Sequence, residues 1–535
     1  MSFAYIKAGT VSNKLDFSST NLLARQLHEE YHPLIRSYSA APTLSIASPP
    51  ANPISNMIET TERGKSHSRK APLALEVVVV GCGLGGLAAA FCLGKAGHKV
   101  TVLEASPVIG EIGAGIQVTP NVSRLLLRWG LGPKLDQVVV KPQAFGFRRF
   151  DTGELIGWTP FGDTLEKTHG APYYHIHRAD YHTILYEIAK PHMDLRLNSK
   201  VVSVDVIPAP QQTSVSGASN ATPKVALTLQ FGDIVYADMI IGADGIKSML
   251  RDLVVGSPDR PVATGDAAYR AIIPAGDMLK DPVLRHLIED GEMTGWMGPN
   301  KHIMGYCLRQ KKEYNLVMAH PDDGSTESWT AEASTEKMRE DFKGWEPRIQ
   351  KLLALVQSTL NWKLMDRAPL STWVHKDGRI ALLGDACHPM LPYRAQGAAM
   401  AIEDAATLGV LFSRITDYSQ ITPLLHAYQR LRYDRTSSSQ LEARMNQRTF
   451  HHEDGPEQER RDASMKAAMK LARAGLDPDM ALSSEDLQAG NANMWADKSK
   501  NVAQFSYDAE QVAEDYWEEE GRYVIGGDQR RLAKL

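Results

Sequence analysis

A glycine-rich loop near residue 81 is the first place where residue types and spacing indicate chemistry. Gly81, Gly83 and Gly86 follow the β-branched run Val77–Val80 and precede a helical pattern. In such a loop the first glycine allows a tight turn, the second lets the backbone approach a pyrophosphate, and the third lets the helix pack on the sheet. The helix N-terminus then offers free N–H groups to the phosphates. The loop therefore predicts a dinucleotide-binding turn.

An acidic residue on the next predicted strand narrows the choice of nucleotide. Glu104 ends the apolar run after the helix, 18 residues beyond Gly86. A carboxylate at this spacing accepts hydrogen bonds from ribose hydroxyls and repels a 2′-phosphate. We therefore expect the nucleotide at this loop to be FAD or NAD rather than NADP.

A second acidic turn, late in the chain, favours a flavin. The apolar run Ile380–Asp385 delivers Asp385 to the carboxyl end of a predicted strand, where it can accept hydrogen bonds from ribityl or ribose hydroxyls. A helical pattern then begins at Gly397 and Ala398. The positive end of that helix would stabilise the negative charge of a reduced flavin.

Three further segments between these motifs carry candidate cofactor residues. Gly115 and Gln117 lie where the chain either passes a planar ring or forms a loop that needs positive φ. Arg178, in a His-Arg-Ala-Asp sequence, either contacts phosphate or a cofactor edge or forms a helix-capping salt bridge. Asp244 follows the apolar run Met239–Gly242 in a Gly-Ala-Asp-Gly turn.

The elements that must position these residues are predicted to form an α/β fold. Residues 77–103 read as a βαβ unit, which indicates a doubly wound parallel sheet. Antiparallel strands of a second layer are predicted at Tyr269–Pro274, Trp296–Leu308 and Tyr314–Ala319. Helices are predicted at Ala398–Ile415, Pro423–Ser437 and Asp462–Ala474, followed by a tail with aromatic residues that we expect to pack on the protein.

Composition excludes several classes of partner. The 535 residues carry a formal net charge of -4, which argues against a nucleic-acid partner. No apolar run is long enough to span a membrane. The four cysteines make no disulfide framework and show no metal-ligand spacing. We therefore expect a cytoplasmic protein without a structural metal.

The first 70 residues differ in composition from the rest. They are rich in Ser, Thr, Ala and Pro and end in the basic stretch Arg63–Lys70, which favours a disordered extension. Organellar import through this segment remains an alternative, although Asp16, Glu29 and Glu30 interrupt the acid-poor pattern of a transit peptide.

The ordered set of motifs resembles the class A FAD-dependent aromatic monooxygenases, in particular fungal-type enzymes similar to salicylate hydroxylase. The resemblance covers roughly residues 74–520, and its most specific part is the block from Gly384 to Ala405. It implies a fold like that of p-hydroxybenzoate hydroxylase, with a β-sheet substrate domain and a helical C-terminal part. The implied ranges are a discontinuous FAD-binding domain at 74–251 and 366–410, the substrate domain at 252–365, and the helical region at 411–535.

The resemblance also implies a reaction. NADH or NADPH docks transiently and reduces FAD, O2 forms a flavin C4a-hydroperoxide, and a hydroxyl group is transferred to a phenolic or aromatic acid, with or without decarboxylation. The implied cofactor-binding residues are Gly81, Gly83, Gly86, Glu104, Gly115, Gln117, Arg178, Asp244, Asp385, Gly397 and Ala398.

Candidate catalytic residues lie on the predicted substrate sheet. Electrophilic hydroxylation is faster on a phenolate, so a base or hydrogen-bond chain is expected near the ring. His302 and Tyr306 match a His-x3-Tyr pair of related enzymes, and Arg270 matches an arginine that could orient a phenolate or carboxylate. The alternative for each of the three is a structural role, such as a salt bridge for Arg270 or a position in a turn for His302. His451 and His452 lie in a polar segment and are expected to be solvated.

Two other functions are compatible with parts of the pattern. An enzyme of the same fold could epoxidise an olefin, but those relatives often end in hydrophobic helices, whereas this tail carries Glu518–Glu520 and Arg530-Arg531. A non-catalytic protein like the GDP-dissociation inhibitors shares the glycine loop, but the block from Gly384 to Ala399 speaks against it.

Overall fold

The computed structural model describes residues 69–110, 114–207, 224–324, 332–481, 491–521 and 523. These residues all belong to one unit, Lys65–Leu535. The predicted extension 1–70, apart from its last two residues, and the predicted loop Gln211–Pro223 lie outside the described residues. No described helix has the length and apolarity needed to cross a bilayer.

Strands of the described residues are numbered in chain order. They are β1 Glu76–Val80, β2 Lys99–Leu103, β3 Gly115–Val118, β4 Ala144–Arg149, β5 Leu155–Pro160, β6 Tyr174–His177, β7 Met193–Arg196, β8 Val201–Ile207, β9 Lys224–Leu229, β10 Ile234–Ala237, β11 Met239–Gly242, β12 Val262–Pro274, β13 Met293–Gly298, β14 Lys301–Leu308, β15 Glu313–Pro321, β16 Glu332–Ala333, β17 Thr359–Asp366 and β18 Ile380–Leu382.

The α-helices are numbered in the same way. They are α1 Leu84–Lys95, α2 Pro120–Arg128, α3 Gly132–Leu135, α4 Gly162–His169, α5 Arg178–Ala189, α6 Met249–Val255, α7 Ala275–Leu279, α8 Arg285–Glu289, α9 Thr335–Asp341, α10 Pro347–Leu355, α11 Gly397–Phe412, α12 Ile421–Phe450, α13 Pro456–Arg473, α14 Lys498–Phe505 and α15 Ala509–Tyr516.

A five-stranded parallel sheet carries the predicted nucleotide motifs. Its strand order is β18-β11-β1-β2-β7, and every neighbouring pair is parallel. The carboxyl ends of parallel strands meet at one edge of the sheet. The turns that follow β1, β2, β11 and β18 therefore lie at the same edge, on both sides of the point where the strand order reverses.

Helices α1 and α11 pack closely beside this sheet because two contact positions are glycines. A Cβ at Gly85 would lie 2.7 Å from Leu383 Cδ2, and one at Gly409 would lie 2.7 Å from Cys92 Cβ. Both distances are too short for a real carbon contact, so a larger residue at either site would separate the elements. The close packing fixes the start of α11 relative to the glycine loop.

An eight-stranded mixed sheet forms the second layer. Its order is β16-β17-β12-β15-β14-β13-β4-β5, and only the β13–β4 pair is parallel. The predicted antiparallel strands are all present, and the run Trp296–Leu308 divides into β13 and β14. Two strands of the sheet, β4 and β5, come from residues 144–160, before the range 252–365 that the sequence favoured.

The two faces of this sheet have different roles because side chains alternate along a strand. On one face Tyr269, Ile303 and Met318 pack against helices α9 and α10 in an apolar core. The opposite face presents the intervening residues, among them Arg270 and His302.

The C-terminal helices cover the remaining sides. Helix α12 is longer than predicted and ends at Phe450, and α13 begins at Pro456. The aromatic tail packs on the protein as expected, since Phe505 and Trp517 are buried. Arg435 on α12 lies over the Tyr507 ring, 3.8 Å from its centroid.

Candidate active site

A cavity of about 630 Å³ lies between the carboxyl edge of the parallel sheet and the inner face of the eight-stranded sheet. Most of the residues that the sequence singled out lie on its wall. They are Gly83, Gly115, Gln117, Arg178, Arg270, His302, Tyr306, Asp385, Gly397 and Ala398. The motifs predicted far apart in the chain are therefore brought to one chamber.

The glycine loop has the shape that the sequence predicts. Gly81 adopts a φ of +104°, and a Cβ there would clash with the carbonyl of Ala243. A Cβ at Gly86 would clash with the Gly81 carbonyl. Gly83, in contrast, has no atom within 4 Å of the position a Cβ would take. The loop is thus closely packed behind and open toward the cavity, which leaves room for a pyrophosphate.

Glu104 lies behind this loop and orders it. One carboxylate oxygen accepts a hydrogen bond from the Cys82 backbone N–H at 2.8 Å, and the other accepts one from Ser106 N–H at 2.8 Å. Each carboxylate oxygen can accept a second hydrogen bond. Glu104 therefore positions the loop and retains capacity for ribose hydroxyls.

Asp385 projects into the cavity from the turn after β18. No described residue donates a hydrogen bond to its carboxylate, and the surrounding protein raises its pKa by burial, against the opposing effects of His388 and Arg178. Arg251 fixes the turn by donating hydrogen bonds to the carbonyls of Ala386 and Cys387, at 3.2 and 2.9 Å. A carboxylate that is exposed to the cavity and has no partner among the described residues can accept a hydrogen bond from a ligand hydroxyl.

The start of helix α11 faces the same space. Gly397 and Ala398 line the cavity, and the N-cap Gln396 makes no side-chain hydrogen bond to the first turn. Gln396 instead donates to Thr119 Oγ1 at 3.1 Å. The first N–H groups of α11 are therefore available to a negatively charged group in the cavity.

The loop of Gly115 and the His-Arg-Ala-Asp motif form another wall. The Gly115 N–H donates to Asn315 Oδ1 at 2.8 Å, and Gln117 Oε1 accepts a hydrogen bond from the Tyr173 hydroxyl. Arg178 begins α5 and lines the cavity, whereas Asp180 forms a bidentate ion pair with Arg309 at 2.8 and 2.9 Å. Asp180 of the motif therefore has a structural role, whereas Arg178 faces the cavity.

Asp244 is placed differently from the other candidates. One carboxylate oxygen accepts hydrogen bonds from the N–H groups of Met249 and Leu250, at 2.9 and 3.2 Å, at the start of α6. The carboxylate is behind the cavity wall, which its neighbours Gly245 and Lys247 help to form. Its pKa is raised, mainly by burial.

These features together fit a bound FAD. The open glycine loop suits the pyrophosphate, Asp385 suits a ribityl hydroxyl, and the start of α11 suits the negative charge of a reduced isoalloxazine. The cofactor would supply the redox chemistry, and the protein would orient it beside the eight-stranded sheet.

Arg270 is a cationic side chain that the eight-stranded sheet contributes to the cavity wall. Arg270 is partly buried, its Nε is shielded from solvent, and its guanidinium stacks on Trp362, with Cζ 4.4 Å from the ring centroid. Within the described residues it forms no ion pair, and its Nε makes no hydrogen bond. Burial lowers its pKa to about 10, so the guanidinium is still cationic at neutral pH. A partly buried cation of this kind is suited to pairing with an anionic ligand.

Tyr306 lies next to Arg270 and to the cofactor-side loop. Its ring centroid is 4.4 Å from that of His175, and a Cβ at Gly115 would lie 2.6 Å from its Cε2. Burial raises the pKa of Tyr306 to about 12, although Arg270 opposes the shift. Tyr306 therefore remains a neutral hydrogen-bonding group.

His302 lies on the same strand face and has a partner that the sequence did not reveal. Its Nδ1 is 2.8 Å from Nε2 of His451, at the end of α12. The prediction that His451 is solvated is wrong, because its side chain is only 9% exposed. Burial, with a smaller contribution from His451, holds the pKa of His302 well below its ordinary value, so the imidazole is neutral.

Several other residues on or behind the cavity wall were missed because their positions follow only from packing. Trp362 contacts Arg270, Asn315 orders the loop at Gly115, and Phe450 and Trp495 form an apolar wall. The alternation on β14 and β15 could have indicated Asn315, which is fully buried on the same face as Val317.

One group of metal-capable side chains occurs among the described residues, namely Cys387, His388 and Asp404. Its members are used in protein contacts. The Asp404 carboxylate lies 2.6 Å from His388 Nε2, accepts a hydrogen bond from Gly384 N–H at 3.1 Å and pairs with Arg432 at 2.8 Å. The cluster therefore holds the turn that carries Asp385.

Comparison with known proteins identifies the family of this chain. The sequence profile of the FAD binding domain family matches residues 74–439. The FAD-dependent monooxygenase OpS4 of Beauveria bassiana is 36% identical over 73% of this chain and 89% of its own length. The 3-hydroxybenzoate 6-hydroxylase 1 of Aquipseudomonas alcaligenes is 34% identical over 71% of this chain and 90% of its own length.

A solved structure has a similar fold. A salicylate hydroxylase in complex with substrate aligns with a TM-score of 0.64 at 25% identity, over 82% of this chain and 97% of that one. The chain belongs to the family of FAD-dependent monooxygenases. It is therefore an enzyme that uses FAD, with NAD(P)H as the reductant typical of the family. The alternative of a non-catalytic binding protein does not agree with this family.

Proposed function

We propose that this monooxygenase hydroxylates a small phenolic or aromatic acid, using O2 and either NADH or NADPH. The observation that carries the proposal is Arg270, a partly buried cation without an ion-pair partner among the described residues, on the wall of the cavity. A phenolate or carboxylate would supply the missing negative charge.

Each candidate residue then has a distinct task. Arg270 pairs with the anionic group of the substrate, and Tyr306 beside it contributes a hydrogen bond. His302 is neutral and can accept the phenolic proton, which makes the ring more electron-rich. When bound and reduced by NAD(P)H, FAD would supply the activation of O2, one atom of which goes to the substrate and the other to water.

The cofactor side of the proposal assigns the remaining candidates. The loop of Gly81, Gly83 and Gly86 holds the pyrophosphate, and Glu104 holds the ribose. Gly115, Gln117 and Arg178 contact the flavin, Asp385 binds the ribityl chain, and Gly397-Ala398 faces the ring. Asp244 acts indirectly, by fixing the turn that contains Gly245 and Lys247.

The chain ranges follow the same division. We propose that residues 74–251 and 366–410 bind FAD and that the sheet within 252–365, extended by β4 and β5, binds substrate. The helical region 411–535 closes the cavity through Phe450 and Trp495.

The names of two relatives support an aromatic substrate. One relative is a 3-hydroxybenzoate 6-hydroxylase, and another, 35% identical, is a 6-hydroxynicotinate 3-monooxygenase of Pseudomonas fluorescens. Both names describe small aromatic acids. The epoxidase alternative is disfavoured, since an uncharged olefin would cover the partly buried Arg270 without supplying a counter-charge.

Partners and location are part of the proposal. A net charge of -4 supports a small-molecule substrate rather than nucleic acid. All four cysteines are buried free thiols, which supports a reducing compartment such as the cytoplasm.

A substrate panel tests the proposed function. Purified FAD-loaded enzyme is given NADH or NADPH with salicylate, 3-hydroxybenzoate, 6-hydroxynicotinate or a larger acylated phenol. The proposal predicts that at least one of these acids or phenols accelerates NAD(P)H oxidation and yields a hydroxylated product by mass spectrometry. Acceleration only by an uncharged olefin, with an epoxide as product, would instead support the alternative.

A further inference from the structure

Two cavities meet at a pair of histidines. His302 lies on the wall of the active-site cavity, and His451 lies on the wall of a second cavity of about 670 Å³. Their imidazoles are joined by the contact of 2.8 Å between Nδ1 of His302 and Nε2 of His451. His302 is only 4% exposed. The pair therefore spans the protein layer between the two cavities.

The second cavity reaches the protein surface. Its wall includes Glu453, Asp454 and Glu457, all of which are exposed. Its inner end is formed by Asp266 and His451, which are buried or nearly so. Water in this cavity can therefore exchange with bulk solvent and reach His451.

Asp266 supplies a fixed negative charge at this inner end. Its Oδ2 accepts hydrogen bonds from the Tyr393 hydroxyl at 2.7 Å and from Gln447 Nε2 at 2.6 Å. The same oxygen lies 3.6 Å from Nδ1 of His451, an ion-pair distance rather than a hydrogen bond. The carboxylate is held in place by neutral donors and can stabilise positive charge on His451.

The other polar groups near the substrate face are poorly suited to take a proton. Arg270, with a pKa of about 10, is already protonated at neutral pH. Tyr306, with a pKa of about 12, is neutral and already carries its proton. His302 has one nitrogen engaged by His451, and its Nε2 makes no hydrogen bond with any described residue.

We propose that His302 and His451 form a proton relay that carries the phenolic proton of the substrate from the active site to water in the second cavity. The inference rests on the proposed function, since it requires a phenolic substrate. The substrate O–H bond breaks as Nε2 of His302 gains the proton. Nδ1 of His302 then releases its own proton to Nε2 of His451, and Nδ1 of His451 releases one to water. No electrons are exchanged, and the phenolate remains beside Arg270.

A variant of His451 tests the relay directly. His451→Gln keeps a polar side chain beside His302 but cannot pass a proton through a ring. Stopped-flow mixing with a pH-indicator dye measures the proton released when FAD-loaded enzyme binds the panel phenol that the wild type hydroxylates fastest. We expect release to slow by about 10- to 100-fold while the Kd for that phenol and the FAD content stay unchanged.

The matched control is the neighbouring histidine. His452 also lines the second cavity but does not contact His302, and it lies 3.5 Å from Glu457. His452→Gln is expected to release the proton at the wild-type rate. Unchanged release in His451→Gln, with hydroxylation intact in the wild type, would overturn the relay and leave the proposed function standing. A wild type that hydroxylates no phenol of the panel would count against both.

Chemical rescue distinguishes a proton relay through His451 from a structural role in which His451 only holds His302 in place. His451→Ala should be slow, and imidazole added to the buffer should enter through the second cavity and restore at least part of the rate. A purely structural role predicts no rescue. The wild type gives a test that does not depend on any variant folding: a relay predicts a curved dependence of the release rate on the D2O fraction, and a linear dependence would contradict it.

Discussion

Gly115 and Tyr306 are in such close contact that a methyl group on Gly115 would lie 2.6 Å from Cε2 of the tyrosine. Gly115 begins the strand β3 on the cofactor side, and Tyr306 lies on β14 of the eight-stranded sheet. The two layers of the active site therefore touch through a glycine. The relative position of flavin and substrate depends on this contact.

Replacing Gly115 by Ala should displace Tyr306 without preventing folding, because Gly115 does not have a positive φ. Overpacking of this kind costs about 1 to 3 kcal/mol of stability. We expect FAD to be retained and a larger fraction of NAD(P)H oxidation to yield H2O2 instead of product. Gly276→Ala is the control, since no atom lies within 4 Å of its Cβ position. Equal coupling in the two variants would show that the contact is not important for alignment.

Replacing Arg270 by Met should weaken substrate binding. Hydrogen bonds to charged groups contribute about 1.5 to 3 kcal/mol, which corresponds to a rise in KM of about 10- to 100-fold. Steady-state kinetics with the best panel substrate measures the change. Lys351→Met is the control outside the cavity lining, because Lys351 already pairs with Asp281 at 2.7 Å. A KM for the Arg270 variant equal to that of the control would remove Arg270 from the site.

Replacing Glu104 by Gln should reduce FAD affinity, because the carboxylate both orders the Cys82 amide and accepts ribose hydroxyls in the proposed complex. We expect the Kd for FAD, measured by the recovery of flavin fluorescence on dilution, to rise by about 10-fold or more. Glu76→Gln removes a carboxylate at the exposed start of β1, where it pairs with Lys224 at 2.6 Å, and should leave FAD binding unchanged. Loss of FAD from both variants alike would contradict a specific role for Glu104.

Replacing Asp404 by Asn should destabilise the fold far more than breaking a surface ion pair whose arginine, like the partner Arg432 of Asp404, lies on α12. Asp404 and Arg432 are both fully buried, and removing one partner of a buried pair costs about 3 to 5 kcal/mol. Glu520→Gln breaks an ion pair with Arg430 in which both side chains are about 40% exposed, and should cost at most about 1 kcal/mol. Urea unfolding of the FAD-loaded wild type, Asp404→Asn and Glu520→Gln proteins measures the loss in free energy of unfolding for each variant.

The pH dependence of this effect has a definite sign. Burial raises the pKa of Asp404, but His388 and Arg432 outweigh it and hold the pKa below its ordinary value of 3.8. A carboxylate with a lowered pKa stabilises the fold above its unfolded pKa and loses that contribution as the pH falls through the folded one. The difference in free energy of unfolding between wild type and Asp404→Asn should therefore be constant near neutral pH and shrink in acid below that pKa. A difference that stays constant on acidification would contradict this assignment.

The cofactor side of the site could be predicted from sequence because its signals are local. Gly81, Glu104 and Asp385 each follow a short apolar run, and strands of a parallel sheet place their carboxyl ends together. The alternation along β14 likewise places His302 and Tyr306 on one face. In each case a few neighbouring residues carry the information.

The rest depended on contacts between distant parts of the chain. His451 is 149 residues from His302, and no local pattern indicates that the end of α12 packs against β14. The polar sequence around His451 pointed to solvent, because burial there is set by neighbours from other elements. The sequence also did not predict that β4 and β5 join the substrate sheet, because this pairing connects strands that are far apart in the chain.

In the proposed reaction this enzyme transfers one atom of O2 to an aromatic acid. The most direct test is to incubate the purified enzyme with NAD(P)H, the best panel substrate and 18O2, and to analyse the product by mass spectrometry. We expect a yellow, FAD-containing protein and a hydroxylated product that carries one 18O atom. A colourless protein, or NAD(P)H oxidation that yields only H2O2 and unchanged aromatic acid across the panel, would contradict the proposed reaction.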